Sequence, residues 1–166
     1  MTLNLTIWPF ISNAILLLGV VVATCAIFYN VRTAKKKETA HFLFESRQDT
    51  AYTESLHVLK KVNRSGKSFR SYIFPREGKI ITEKERVERR KLQYILNFYE
   101  RVAVAIREGI YDEQMIKRAS FTTVIQAWDI AEPLIKAIRE HIHSETTYQE
   151  FEWLVMRWKQ NPLQKK

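Results

Sequence analysis

The chain is poor in the residues that punctuate or cross-link a fold. It has one cysteine, four glycines and four prolines in 166 residues. A lone cysteine, Cys25, excludes an intramolecular disulfide framework, and it agrees with a reducing compartment for any folded part. Few glycines and prolines leave little material for tight turns, so long helices are expected. No alternating apolar and polar run marks a strand, and no internal repeat is present. The most telling absence is charge: residues 1–31 carry no charged side chain, and the first is Arg32.

Within that uncharged stretch, residues 7–29 form a 23-residue apolar run whose most polar members are Ser12, Asn13 and Thr24. At 1.5 Å per residue such a helix spans about 34 Å, against a hydrocarbon core of roughly 30 Å. A helix satisfies all its backbone amides internally, so a run of this length reads as a transmembrane span. Trp8 and Phe10 at one end, with Phe28 and Tyr29 at the other, suit the two interfaces. Pro9 is expected in the first turn, where no intrahelical donor is lost. A cleaved signal peptide would need basic residues ahead of the core and a small-residue cleavage site behind it. This core has neither, and it runs directly into Asn30-Val31-Arg32.

Arg32, Lys35, Lys36 and Lys37 follow the span, and no charged side chain precedes it. The positive-inside rule then puts residues 1–6 outside and the C-terminal part in the cytosol. Cations at that position are also drawn to an anionic leaflet. Asn4-Leu5-Thr6 matches a glycosylation triplet, a pattern common by chance. Gly19 and Ala23 form a small-xxx-small pair, a route to a homodimer through the span.

The rest of the chain is basic but mixed. Of 27 Lys and Arg, four flank the membrane, leaving 23 against 18 acids, a net +5. Its expected organisation is all-α: a basic juxtamembrane segment and helical stalk over 30–62, interrupted near Ser46 to Thr50, a basic-aromatic loop over 63–81, a helical bundle over 82–160, and a basic tail over 161–166. Gly66, Pro75 and Gly78 break the helical pattern in the loop. Thr82 and Glu85 make a capping box that opens the strongest amphipathic helix, with Leu92, Ile95, Leu96, Tyr99, Val102, Ala103 and Ile106 on one stripe. Gly109 is placed to end it, and Asp112 to cap the next helix, lined by Phe121, Val124, Ile125 and Trp128. Pro133 is expected to kink or restart the chain, and Thr147 with Glu150 to open a last helix through Trp158.

The search for chemistry returns little. Ser65-Gly66-Lys67-Ser68 resembles the end of a phosphate-binding loop, but the glycine required five residues earlier is Lys61. His141 and His143 are two apart, so they leave a helix on different faces, unlike paired metal ligands. The acids Glu83, Glu85 and Glu88 alternate with Lys84, Arg86, Arg89 and Arg90, the pattern of a solvated, ion-paired face. No catalytic residue, cofactor or metal is therefore assigned. Asn97 and Glu100, three apart beside the apolar stripe, are a candidate polar site, with a bundle hydrogen bond as the simpler reading.

The most suggestive surface is the loop. Arg64, Lys67, Arg70, Arg76 and Lys79 interleave with Phe69, Tyr72 and Phe74 against one acid, Glu77. Such a mixture binds single-stranded nucleic acid by charge and stacking, or lies on an anionic membrane surface with its rings among headgroups. The anchor favours lipid. The third reading has the aromatics tucked into the bundle.

Leu96-Asn97-Phe98-Tyr99-Glu100, followed by Ala103, Gly109 and Asp112, resembles an uncharacterised bacterial family catalogued as a domain of unknown function, number 4760. The resemblance covers most of the chain and is most specific between about Ile95 and Trp158. It implies one N-terminal membrane helix, a helical stalk and a short helical domain. It implies no activity and assigns no functional residue. The loop from Arg64 to Lys79 has no place in that pattern. The functional expectation is a membrane-anchored helical interaction module that recruits or senses a cytosolic protein. A membrane-associated nucleic-acid-binding protein is the alternative, and an enzyme whose site sequence cannot show is the second.

Overall fold

A computed structural model describes residues 3–78 and 80–164. Among these residues the secondary structure is helical, with no strand. Five α-helices follow in order: α1 (Leu3–Gln48), α2 (Thr50–Arg64), α3 (Glu83–Arg107), α4 (Glu113–Ile142) and α5 (Gln149–Gln160). A short 3₁₀ helix, Phe69–Tyr72, lies in the loop between α2 and α3.

The apolar stretch and the stalk are one helix. α1 begins at Leu3, so Pro9 lies inside it rather than in the first turn, where it removes one i→i−4 bond. The chain breaks at Asp49, whose carboxylate accepts the Tyr52 backbone N–H at 3.0 Å and caps α2. α3 starts at the expected capping box. Thr82 Oγ1 accepts the Glu85 N–H at 3.2 Å, and Glu85 Oε2 accepts the Thr82 N–H at 2.9 Å.

α3 is the centre of the bundle, with α2 on one side and α5 on the other, and α4 packs on α5, the 3₁₀ helix and α1. Its stripe of Leu92, Ile95, Leu96, Tyr99, Val102, Ala103 and Ile106 is buried, as is Phe98. Each large apolar side chain so buried contributes roughly 1.5–3 kcal/mol. Phe151 joins the layers: its ring stacks on Tyr99 at 5.0 Å and meets Trp128 edge-on at 5.1 Å.

Two local expectations are corrected. α4 does not restart at Pro133 but continues through it, with Ala131, Leu134, Ile135 and Ile138 buried on both sides of the proline. The second capping box does not form. α5 follows Tyr148 in the left-handed region at φ 61°, with no side-chain cap from that residue. The Glu150 carboxylate instead accepts from Arg107 Nη1, at 2.7 and 2.8 Å.

Pairings down the chain set the direction of the stalk. Lys35 lies beside Gly109, its ammonium 3.9 Å from where a Cβ on that glycine would stand. Asp49 accepts a hydrogen bond from Tyr94 at 2.7 Å. Glu54 pairs with Lys91 at 2.7 Å, and Lys67 with Glu85 at 2.9 Å. The partners retreat steadily along α3 as the chain advances, so the stalk and α2 run antiparallel to it. Glu85 and Gly109 are roughly 36 Å apart along that axis at 1.5 Å per residue. The described part of the loop, residues 63–78 and 80–81, therefore caps the end of the bundle opposite the one where α1 enters.

Candidate functional site

α1 holds one stretch long and apolar enough to cross a membrane. Within Phe10–Gln48 an 18-residue window reaches a mean hydropathy of 2.4, and none of it is buried against the bundle. A soluble protein's core helix would bury such a stretch. Trp8, Phe10, Phe28 and Tyr29 are exposed at its ends. Beyond it Arg32, Lys36 and Lys37 are exposed, with no acidic partner among the described residues, while Lys35 is half-buried beside Gly109.

The loop candidates separate by residue type. Phe69 and Tyr72 are core side chains, 6% and 3% exposed. The 3₁₀ turn points both rings inward and leaves its one cation, Arg70, outside. This removes the two rings from stacking on bases or inserting into lipid. Tyr72 donates its hydroxyl to Glu88 at 2.6 Å; burial, with the nearby Glu88 carboxylate, pushes the phenol well above its ordinary value. Lys67 lies over the Tyr72 ring at 4.1 Å while pairing with Glu85. Phe74 is half-buried, with its ring edge-on to His141 at 5.6 Å and the Arg70 guanidinium over it at 4.5 Å.

Arg70 in turn forks onto the Glu140 carboxylate, with the Nη2 arm at 2.7 Å. Two of the loop's cations are thus committed to ion pairs. Arg64 and Arg76 are exposed without an acidic partner among the described residues. Lys79 lies outside the described residues. Gly66, Lys67, Ser68, Arg70, Phe74 and Arg76 border an open depression of about 490 Å³, shallow and basic. The loop sits at the end of the bundle away from the apolar stretch of α1.

Asn97 and Glu100 do not form a site together. Asn97 is exposed. Glu100 turns the other way and accepts the backbone N–H of Phe151 at 2.7 Å and that of Glu150 at 3.3 Å. A carboxylate from α3 therefore caps α5, where the helix dipole favours negative charge. Burial raises its pKa, and these two hydrogen bonds oppose the rise. Among the described residues no group of three or more His, Cys, Asp or Glu is arranged to hold a metal ion.

Sequence reasoning missed Thr39, the residue that locks α1 to the bundle. Thr39 is fully buried; its hydroxyl donates to the Lys35 carbonyl at 2.8 Å and accepts the Asp112 backbone N–H at 2.7 Å. Phe42 follows one turn later, stacked on Tyr111 at 4.7 Å and near Phe98 at 5.8 Å. The available signal was the spacing of Lys35, Thr39, Phe42 and Ser46, a helical face that keeps its period after the apolar run has ended.

No curated protein and no solved structure matches the chain. The model of a protein family, described as "Domain of unknown function (DUF4760)", matches residues 13–158, which takes in most of α1 and all of α2, α3 and α4. The chain belongs to that family.

Proposed function

We propose that this protein is a membrane-tethered helical interaction module of the bacterial inner membrane, with its N-terminus outside and its bundle in the cytosol, where it recruits or senses a protein partner. The observation that carries this reading is the continuity of α1. One unbroken helix holds both the exposed apolar stretch and the packed face at Lys35, Thr39 and Phe42. A bundle joined to its span in this way has a defined height and orientation over the bilayer. The exposed cations at Arg32, Lys36 and Lys37 support the cytosolic side for the bundle. Tethering raises effective concentration at the membrane, so weak contacts with a partner suffice.

The far end of the bundle, with Arg64 and Arg76 exposed, is the surface best placed to meet that partner. We read the module as binding rather than catalytic. Nucleic-acid binding is the weaker reading, because burial of Phe69 and Tyr72 leaves the half-buried Phe74 as the one loop ring of the three for base stacking. In-cell cross-linking and affinity capture of the full chain, beside a version lacking residues 1–33, tests the proposal. The deletion removes none of the packed face, which begins at Lys35. A specific protein captured only with the anchored form supports recruitment at the membrane. Capture of lipid, nucleic acid or the chain itself alone contradicts it.

A further inference from the structure

The loop was the sequence's candidate for lipid, yet it lies at the wrong end of the bundle. The end that faces the span is the turn between α3 and α4. Gly109, at φ 73°, closes α3 with both hydrogen bonds of a Schellman motif: its own N–H to the Ile106 carbonyl at 3.1 Å, and the Ile110 N–H to the Ala105 carbonyl at 2.9 Å. In such a cap the residue after the glycine commonly packs back onto the last turn of the helix. Ile110 stays 53% exposed instead. The turn is also pinned in place, with Lys35 beside Gly109 and Thr39 bonded to Asp112. Lys35 follows Tyr29, the last residue of the span, by roughly 9 Å of helix.

We propose that this turn is the bundle's own lipid-contacting surface, with Ile110 seated in the headgroup region of an anionic leaflet. The inference rests on the reading of α1 as a membrane span. Charge supports it: Arg32, Lys36 and Lys37 stand on the adjoining turns of α1 without acidic partners among the described residues, outweighing the exposed Glu38 and Glu108. An exposed apolar residue beside a belt of cations is the composition that settles at an anionic interface. Because α1 already holds the turn near the leaflet, a single isoleucine suffices. Two further isoleucines of the domain are exposed, Ile80 at 84% and Ile142 at 50%; Ile80 lies at the opposite end of α3 and gives an internal contrast.

The test uses the full chain in nanodiscs of phosphatidylcholine with phosphatidylglycerol. An environment-sensitive dye is placed by Ile110→Cys or Ile80→Cys, each in a Cys25→Ala background, and on the native Cys25 of the unaltered chain. The Ile110→Cys probe is expected to emit to the blue of the Ile80→Cys probe and to be quenched several-fold more by headgroup-region nitroxide lipids. That difference should shrink in discs of phosphatidylcholine alone. Equal emission and quenching at the two sites overturns the proposal, and quenching indifferent to anionic lipid overturns the choice of leaflet. The native cysteine separates the two levels of the argument. If the Cys25 probe is quenched by lipid and the Ile110→Cys probe is not, this inference alone falls; if the Cys25 probe is not quenched, the span falls with it.

Discussion

Thr39 and Asp112 meet at 2.7 Å, the threonine hydroxyl accepting the backbone N–H of the residue whose own carboxylate caps α4 through Met115 at 3.0 Å. One hydroxyl thus ties the helix that leaves the apolar stretch to the start of the bundle's longest domain helix. Thr39→Val keeps the shape and removes the acceptor, leaving a buried amide without a partner. A loss of about 1–3 kcal/mol is expected from such a group. Amide exchange at Asp112 should accelerate in the variant, while exchange at Leu92, deep in α3, changes far less. Unaltered exchange at Asp112 would remove this contact from the account.

Glu100 is expected to matter through α5 alone. Glu100→Ala orphans the amides of Glu150 and Phe151 and should cost about 1–3 kcal/mol, whereas Glu100→Gln retains an acceptor and should cost less. The carboxyl lies above its ordinary value of 4.5, chiefly from burial. The folded state therefore holds its proton to higher pH than the unfolded state does. Its contribution is greatest at acid pH and declines as pH rises through the folded value. Denaturant melts across the window just above 4.5 should show that decline in the native chain and lose it in Glu100→Gln.

Asp49 carries the opposite sign. The Tyr94 hydroxyl first, and then the Tyr52 backbone N–H, hold its carboxyl below the ordinary 3.8. Its contribution is present above that value and lost as pH falls through the still lower folded value. Acidification below 3.8 should therefore loosen the junction of α1 and α2, seen as faster exchange of the Tyr52 amide. Asp49→Asn should show much less of this dependence.

His143 ends α4 in the left-handed region at φ 53°, where a side chain is strained and glycine is not. Ser144 returns its N–H to the Arg139 carbonyl at 3.1 Å, so the turn is a genuine helix cap. His143→Gly is expected to stabilise the chain by about 1 kcal/mol. Thermal melts of full-length protein in detergent should show a rise of a few degrees; a fall would mean that the imidazole has a role beyond the turn.

How far the fold was legible depended on whether a signal was local. The Thr82–Glu85 box formed because each partner finds the other within one turn of a solvated helix start. The same pattern at Thr147 and Glu150 failed, since Arg107 draws away the Glu150 carboxylate and Glu100 arrives from 50 residues earlier to take the α5 amides. Alternation of Arg70 with Phe69 and Tyr72 was ambiguous for a physical reason. A 3₁₀ turn with rings inward and its cation outward has the same spelling as a stacking surface. Ile110 carried no sequence signal at all, because its importance lies in facing the end of the bundle where α1 enters.

The central claim is that α1 holds the bundle upright, with the α3–α4 turn near the bilayer and the loop far from it. Energy transfer from a donor at Glu108→Cys or Glu77→Cys, each in a Cys25→Ala background, to acceptor lipids in nanodiscs measures the two heights directly. Both positions are exposed. The account predicts strong transfer from position 108 and weak transfer from position 77, a difference in height on the order of the 36 Å that α3 spans from Glu85 to Gly109. Equal transfer from the two positions would mean that the bundle lies flat on the leaflet, and would contradict it.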